Sequence, residues 1–121
     1  MASILLIDDD AKLGNIIRMV FYNHNVQFTH AHSAAEGLNW ARAQQPDVMI
    51  VDLLLPDLPG EWALVEAIRR DEQLRMVPLV VISGFDPDHD KITRYGVSAY
   101  FQKPFSSAEL RGHVLNLITP V

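Results

Sequence analysis

The stretch MIVDLLLPDLPGE, from Met49 to Glu61, decides the fold because it joins a buried strand to a turn through an acidic residue. The segment up to Val51 is apolar without interruption, which is typical of a parallel strand that is covered on both faces. Asp52 follows it, and three leucines and a proline come next. An isolated charge between two apolar segments is costly. We therefore expect the Asp52 carboxylate to be held by a partner or to have a chemical task.

Outward from this stretch, strand-like runs alternate with helical patterns along the chain. The runs that predict strands are Ser3–Ile7, Val26–Ala31, Asp47–Val51, Pro78–Ile82 and Ser98–Phe101. Two sets of apolar residues at helical spacing each predict one apolar stripe, namely Leu13, Ile16, Ile17, Val20 and Phe21, then Leu110, Val114, Leu117 and Ile118. Ser33 and Ser106 each stand three residues before a glutamate, which predicts the first turns of two helices.

Repeated strand–helix units predict an α/β domain in three layers, with a parallel sheet between helices. The first, third and fourth strands are continuously apolar, so we expect them inside the sheet. The second strand alternates and the fifth is short, which favours the edges. With right-handed crossovers, these placements give a flavodoxin-like (βα)5 fold with strand order 2-1-3-4-5. We expect a single domain over residues 1–121.

Composition narrows the classes of function. The chain has 121 residues, 49% of them hydrophobic, which favours a packed core. It has no cysteine, so disulfides and thiolate metal sites are excluded. A net charge of −5 argues against binding to nucleic acid or to anionic membranes. No apolar run approaches the roughly 18 residues of a membrane span, and no signal peptide is evident, so a cytoplasmic location is expected.

Acidic residues follow two strands that the predicted order makes neighbours. Asp8 and Asp9 end the first strand and Asp52 ends the third, at the point where the strand order reverses. Like charges crowded there raise each other's pKa or demand a cation, and oxygen ligands with open positions suit Mg²⁺. The alternative is an acidic helix start, which we favour for Asp10 alone.

The ends of the fourth and fifth strands supply groups that complement these acids. Ser83 and Gly84 follow the fourth strand, and Lys103 with Pro104 follows the fifth. A hydroxyl, an ammonium and a divalent cation around one carboxylate are the parts of a phosphoryl-transfer site. In such a site Asp52 would be the nucleophile and would form an acyl phosphate.

With LLIDDD, VDLLLPDLPG, VVIS and KPF at these strand ends, the chain resembles the CheY-like receiver domains of bacterial two-component response regulators. The resemblance covers essentially the whole chain. It implies a phosphorylation-dependent switch in which Asp52 accepts a phosphoryl group from a sensor histidine kinase or a phosphotransfer protein. Such a domain is not an enzyme with a dedicated substrate, because it assists only its own phosphorylation and dephosphorylation.

The resemblance also implies the metal ligands. Asp9, Asp52 and the main-chain carbonyl of Leu54 would bind Mg²⁺, with Mn²⁺ as an alternative ion. Asp8 would contribute through water.

Further residues have implied roles at the phosphoryl group. Ser83, Gly84 and Lys103 would bind it, and Lys103 and Pro104 would form the cis-type Lys-Pro loop. Ser83 and Tyr100 would act as the switch, in which the tyrosine ring moves inward as the hydroxyl moves to the phosphate. The alternative for Tyr100 is an aromatic residue on the surface of an edge strand.

Two positions predict a slow loss of the phosphoryl group. Leu54 and Phe85, which flank the path of an attacking water in the family, are both apolar here. We expect them to exclude water and to slow self-dephosphorylation.

The fourth helix, fifth strand and fifth helix carry the signal outward in the family. Candidate residues of this output face are Lys91, Arg94, Tyr100 and Arg111. It would contact an output domain or form a homodimer, and the alternative is ordinary solvated charge. The pattern fits a free-standing receiver or one module of a longer regulator.

Two rival functions share parts of the pattern. A haloacid-dehalogenase-like phosphohydrolase usually has a second acid two residues after its nucleophile, where this chain has Leu54. A flavodoxin-like cofactor binder needs a phosphate-cradling loop after the first strand, where the acidic DDDAKLG would repel phosphate. The histidines show no metal-ligand spacing, and Trp40 and Trp62 are expected to be packing residues.

Overall fold

The computed structural model describes residues 1–118, in which strands and helices alternate. The strands are β1 (Ala2–Ile7), β2 (Val26–Ala31), β3 (Val48–Asp52), β4 (Leu79–Ser83) and β5 (Ala99–Gln102). The helices are α1 (Ala11–Val20), α2 (Ala34–Gln44), α3 (Ala63–Arg70), α4 (His89–Arg94) and α5 (Ser107–Ile118).

All strand pairs are parallel, and the order is β2-β1-β3-β4-β5, as the sequence predicts. The interior strands β3 and β4 are buried along their whole length. The edge strands β2 and β5 are mostly half-buried. The flavodoxin-like α/β fold is thereby confirmed, and the ends of β1 and β3 lie side by side where the order reverses.

Strand bounds differ from the prediction by one residue in four strands: β1 begins at Ala2 rather than Ser3, and β3, β4 and β5 each begin and end one position later. Asp52 pairs with Ile82 in the ladder, so it is the last residue of β3 rather than the first of a loop. Ser83 pairs with Gln102 and is likewise the last residue of β4. The prediction followed apolar side chains, whereas the strand continues as long as the backbone pairs.

Alternate residues of the central strands build two separate cores. On one face, Leu5 and Met49 belong to the core covered by α2 and α3. On the other face, Leu6 and Ile50 belong to the core that contains residues of α1 and α5. Because successive side chains of a strand point to opposite faces, the sheet has an apolar face on each side and helices cover both. The paired strands hold their carboxyl ends in one row.

Helix starts follow the predicted capping residues. Asp10 Oδ1 accepts hydrogen bonds from the N–H groups of Lys12 and Leu13, so Asp10 caps α1 as expected. Ser33 and Ser106 accept from the N–H groups of the glutamates three residues later. These side chains satisfy amides that would otherwise lack a partner in the first turn.

The predicted stripe on α1 is wrong at Ile16. This residue is 53% exposed, whereas Ile17 and Phe21 are buried. Ile16 lies beside Leu13 and Phe105 along the edge of the helix, rather than facing the sheet. Phe21 falls just beyond the last residue of α1, and its ring still reaches the core.

The tryptophans pack as predicted. Trp62 is only 6% exposed and belongs to the core on the α2 and α3 face. Trp40 packs against the same core from α2.

Helix α4 has six residues and buries none of them. Its C-terminal end is held by Arg69 of α3, whose guanidinium donates to the carbonyls of Tyr95 at 2.6 Å and Gly96 at 3.2 Å. The same side chain donates to the backbone carbonyls of Arg75 and Val77, which precede β4. Arg69 therefore joins the loops that precede β4 and β5.

None of the helices within residues 1–118 is long and apolar enough to cross a bilayer.

Candidate functional site

Three carboxylates meet where β1 and β3 end. Ile7 pairs with Val51, so the residues that follow lie side by side. Asp8, Asp9 and Asp52 each offer an oxygen, and these oxygens lie within 4.8 Å of one another. Asp8 and Asp52 are buried and Asp9 is exposed, which leaves the cluster open to solvent on one side. The predicted convergence of the strand ends is therefore what the fold produces.

Asp8 has the properties of a cation ligand. Its Oδ1 accepts a hydrogen bond from the N–H of Asp10 at 2.8 Å, whereas its buried Oδ2 has no hydrogen-bond partner. Burial, with the nearby Asp52 carboxylate, raises the pKa of Asp8 to about 7. A buried oxygen without a donor costs free energy, which a divalent cation offsets by direct or water-mediated contact. The residues present thus fit a hard metal ion.

Lys103 approaches the acids from the end of β5. Its Nζ lies 3.1 Å from Asp52 Oδ2 and 3.8 Å from Asp8 Oδ2. Burial lowers the pKa of Lys103, but the hydrogen bond to Asp52 and the two negative charges outweigh it, and the net shift is upward. The ammonium is therefore charged when the site binds an anion. The peptide bond between Lys103 and Pro104 is cis, as predicted.

Both oxygens of Asp52 are held in place. Oδ1 accepts from the N–H of Leu54 at 3.1 Å, and Oδ2 accepts from Lys103. The carboxylate is only 5% exposed. This answers why an acid can end a buried strand: a backbone amide and an ammonium compensate its charge. The structure thus places Leu54 beside Asp52 through its N–H, while its predicted role as a carbonyl ligand stays a prediction.

Ser83 lies on the neighbouring strand, since β4 pairs with β3. Its hydroxyl accepts from the N–H of Phe85 at 2.9 Å, which sets the loop after β4. The carbonyl of Ser83 accepts from the N–H of Lys103 at 2.7 Å, so the two predicted phosphoryl-binding residues share a backbone bond. A Cβ added to Gly84 would meet no atom within 4 Å, which agrees with the predicted room for a ligand.

The two apolar residues beside the site lie on its outer rim. Leu54 is 64% exposed and Phe85 is 37% exposed. Both line a cleft of about 710 Å³ together with Trp62 and Lys91. They can therefore change contacts without disturbing the core.

Tyr100 connects β5 to the loop after β4. Its hydroxyl donates to the carbonyl of Phe85 at 2.8 Å, and its ring stacks on Trp62 with centroids 6.5 Å apart. Burial raises the pKa of Tyr100, and the Ser83 hydroxyl opposes that shift. Tyr100 is therefore not a plain surface aromatic, because its hydroxyl contacts the loop that Ser83 also holds.

Asp57 is a residue of the site loop that the sequence did not single out. Its two oxygens accept from the N–H groups of Ala34 and Ala35 at 3.1 Å each, at the start of α2. These bonds lower the pKa of Asp57. Asp57 thereby fastens the loop after β3 to a helix on the same side of the sheet. An aspartate between two prolines gave only a turn signal, since its partners lie more than twenty residues away.

The remaining predicted residues lie at the edges of the site or away from it. Lys91 and Arg94 are on α4, and Lys91 lines the cleft beside Phe85. Arg111 is half-buried on α5. Within residues 1–118, one group of side chains lies close enough together to bind a metal ion, and it consists of Asp8, Asp9 and Asp52. No histidine belongs to it.

Comparison with known proteins identifies relatives for nearly the whole chain. The family model of the response regulator receiver domain matches residues 4–115. Hybrid signal transduction histidine kinase D of Dictyostelium discoideum is 31% identical over 118 residues, which are 96% of this chain and 8% of that protein. The KDP operon transcriptional regulatory protein KdpE of Escherichia coli is 30% identical over 94% of this chain and 50% of its own length.

Solved structures agree with these relatives. The receiver domain of a Francisella response regulator has a TM-score of 0.84 and is 29% identical, covering 97% of this chain and 96% of that chain. The chain spans about half the length of KdpE and 8% of the length of the hybrid kinase.

Proposed function

The chain belongs to the response regulator receiver domain family, and from that premise we propose that Asp52 is its phosphoacceptor. The observation that carries the proposal is the position of Asp52, at the end of β3, between a lysine ammonium and two further carboxylates. Of the clustered acids, Asp52 is the one that the ammonium contacts at 3.1 Å. An anion bound there meets a positive charge next to the nucleophile.

The proposed reaction transfers a phosphoryl group from a phosphohistidine of a sensor kinase or a phosphotransfer protein. An oxygen of Asp52 forms the new bond to phosphorus, and the bond from phosphorus to the histidine nitrogen breaks. The leaving imidazole keeps the electron pair and takes up a proton. Lys103 would then balance the charge of the acyl phosphate, and the Ser83 hydroxyl and the Leu54 N–H, which donates to Asp52 before transfer, would donate to it.

Mg²⁺ is the cation that we assign to the acidic cluster. Asp9, Asp52 and the carbonyl of Leu54 would hold it directly, and Asp8 would act through water. The ion supplies neutralisation of the phosphoryl oxygens. The buried Oδ2 of Asp8 has no hydrogen-bond donor, only the Lys103 ammonium at 3.8 Å, which supports such an interaction. Mn²⁺ has similar ligand preferences and is the alternative ion.

A phosphohydrolase is not favoured, because the position two residues after Asp52 is the exposed and apolar Leu54. This side chain can neither protonate a leaving group nor activate a water. The domain instead assists its own phosphorylation and its slow dephosphorylation. Phe85, which lines the same cleft as Leu54, supports the same exclusion of water.

The switch that we propose uses the bonds among three groups. When the Ser83 hydroxyl moves to the phosphoryl group, its bond to the Phe85 N–H is lost and the loop after β4 shifts. Tyr100 holds the carbonyl of the same Phe85, so the loop movement reaches β5. Phosphorylation would thereby bias a two-state equilibrium.

The output of this switch is assigned to the face formed by α4, β5 and α5. Candidate contacts are Lys91, Arg94, Tyr100 and Arg111. Its partner would be an output domain or a second receiver, and the domain itself would bind neither nucleic acid nor membrane. We place the domain in the cytoplasm, where a sensor kinase can reach it.

The test is labelling with acetyl phosphate and Mg²⁺, followed by intact-mass analysis and hydroxylamine treatment. One phosphoryl group that hydroxylamine removes is expected on the parent, and none on Asp52→Asn. Asp57→Asn is the matched control, because it neutralises an exposed aspartate of the same loop and should still be labelled. Labelling of Asp52→Asn at the parent rate would disprove the assignment. Rapid multiple turnover would indicate a hydrolase, and flavin bound without labelling would indicate a cofactor binder.

A further inference from the structure

His30 connects the edge strand β2 to the acidic turn. It pairs with Leu6 of β1, so its ring lies on the α1 face of the sheet. The Nε2 atom lies 2.7 Å from the carbonyl oxygen of Asp8. A carbonyl can only accept, so Nε2 carries the proton and donates this hydrogen bond.

The carbonyl that His30 holds belongs to the peptide bond between Asp8 and Asp9. On the other side of Asp8, its N–H donates to the carbonyl of Ala31 at 3.1 Å. The N–H of Asp10 donates to the Asp8 side chain. These bonds fix the turn, and the bond from His30 fixes the peptide bond that joins Asp8 to Asp9, two of the three acids of the cluster.

The ring of His30 packs against two neighbours. A Cβ added to Gly14 of α1 would overlap with its Nδ1 and Cε1 atoms, so the ring lies directly on the helix backbone at a glycine. The His32 ring also packs against it, with the two ring centroids 4.1 Å apart. A ring packed in this way has little freedom, and its donor is aimed in advance.

We propose that His30 is a positioning residue of the metal site: its hydrogen bond to the Asp8–Asp9 peptide orients the acidic cluster for a divalent cation. When a group that hydrogen-bonds to a metal-binding residue without touching the metal is removed, the metal affinity commonly falls by about 10- to 100-fold. The inference rests on the proposed function, because it needs the cluster to bind Mg²⁺.

The test measures the dissociation constant for Mg²⁺ by isothermal titration calorimetry, using the full chain. His30→Phe keeps a flat ring but removes the donor, and we expect binding to weaken about tenfold. His30→Gln places an amide N–H near the position of Nε2 and should bind nearly as tightly as the parent. His32→Phe is the matched control at the neighbouring histidine, and it should leave the affinity unchanged.

A second variant approaches the same bond from the helix. Gly14→Ala should displace the imidazole and weaken Mg²⁺ binding, even though alanine is the better helix former. Thermal unfolding in a chelator is recorded for every variant, because a merely structural role would lower the melting temperature and leave the Mg²⁺ affinity intact. If His30→Phe does not fold, His30→Asn, whose amide is too short to reach the carbonyl, replaces it.

The outcomes separate this inference from the proposed function. If the parent binds Mg²⁺ and His30→Phe binds it equally well, the positioning role is excluded while the proposed function stands. Equal weakening in His30→Phe and His30→Gln would likewise exclude it, since ring packing rather than the donor would then matter. A parent that neither binds Mg²⁺ nor is labelled by acetyl phosphate would overturn both.

Discussion

The ammonium of Lys103 lies 3.1 Å from Oδ2 of Asp52, although 51 positions separate the two residues in the chain. This contact brings one positive charge to a cluster of three carboxylates, two of which are buried. A single ammonium leaves the cluster negative, so a divalent cation is still needed before a phosphoryl group can approach. The lysine and the cation therefore have separate tasks in the proposed site.

Lys103→Gln removes the positive charge while keeping a polar side chain of similar length. We expect the initial rate of labelling by acetyl phosphate at saturating Mg²⁺ to fall by about 10²- to 10³-fold, the usual loss when one electrostatic donor is removed. Quantitative mass spectrometry over a time course measures that rate. Lys12→Gln changes an exposed lysine on α1 and should label at the parent rate. An equal loss in both variants would mean that overall charge, rather than the contact with Asp52, controls labelling.

In the absence of metal, we expect the free energy of unfolding to depend on pH through Asp8. Its pKa rises from 3.8 to about 7 on folding, so the folded state favours the protonated form. The corresponding stability is fully present below 3.8 and is lost as the pH rises through about 7. Asp8→Asn cannot ionise, and at about 1.4 kcal/mol per pKa unit we expect it to exceed the parent by up to about 4 kcal/mol in the free energy of unfolding at about pH 8.

Urea unfolding in a chelator, at pH values on both sides of this range, measures the difference for Asp8→Asn. The difference should shrink toward zero at about pH 4, where Asp8 is protonated in the folded protein. Asp9→Asn is the control, because this neighbouring carboxylate is exposed. A gain for Asp8→Asn that is the same at both pH values would show that ionisation is not its cause.

We expect the side chain at position 54 to control the lifetime of the acyl phosphate. Leu54→Asn places an amide beside Asp52, where it can orient a water for attack, so we expect self-dephosphorylation to become several-fold faster. The measurement follows loss of the mass adduct after the phosphodonor is removed. Leu54→Met keeps an apolar side chain and should retain the parent lifetime. A parent lifetime equal to or shorter than that of Leu54→Asn would contradict the exclusion of water.

Asp57 attaches the loop after β3 to the start of α2, and we expect its removal to loosen this attachment. Its pKa is lowered by the N–H groups of Ala34 and Ala35, so its contribution to stability is present above its unfolded pKa of about 4 and is lost as the pH falls through the lower folded value. Asp57→Ala should accelerate hydrogen exchange of these two amides and leave α5 unaffected. Asp88→Ala removes the cap of α4 instead and should leave both amides protected. Unchanged exchange in Asp57→Ala would show that the bonds to α2 are not formed in solution.

Much of the site follows from the sequence, because its residues stand at strand ends whose order is set by periodicity and handedness. Asp8, Asp52, Ser83 and Lys103 could be placed together on that basis. Ile16 was assigned to the buried stripe of α1, but helical spacing does not fix which edge of a stripe reaches solvent.

Other features depend on partners that no local pattern reveals. Asp57 caps a helix more than twenty residues away, and His30 reaches a carbonyl twenty-two positions earlier in the chain. Both contacts exist only after β1, β2 and α2 have packed. Gly14 gives a faint signal, since a glycine inside a helix implies a close neighbour, yet the sequence does not identify that neighbour as His30.

Arg69 determines how α4 can respond to events at Ser83. The guanidinium grips the carbonyls of Tyr95 and Gly96, where the backbone turns through a φ of +60°. The opposite end of the helix, at His89, follows the exposed loop that begins at Gly84. A helix tethered at one end pivots rather than slides. If phosphorylation shifts the loop after β4 as proposed, the amino-terminal turn of α4 would travel furthest, and a partner that senses the phosphorylated form would gain most by contacting that turn.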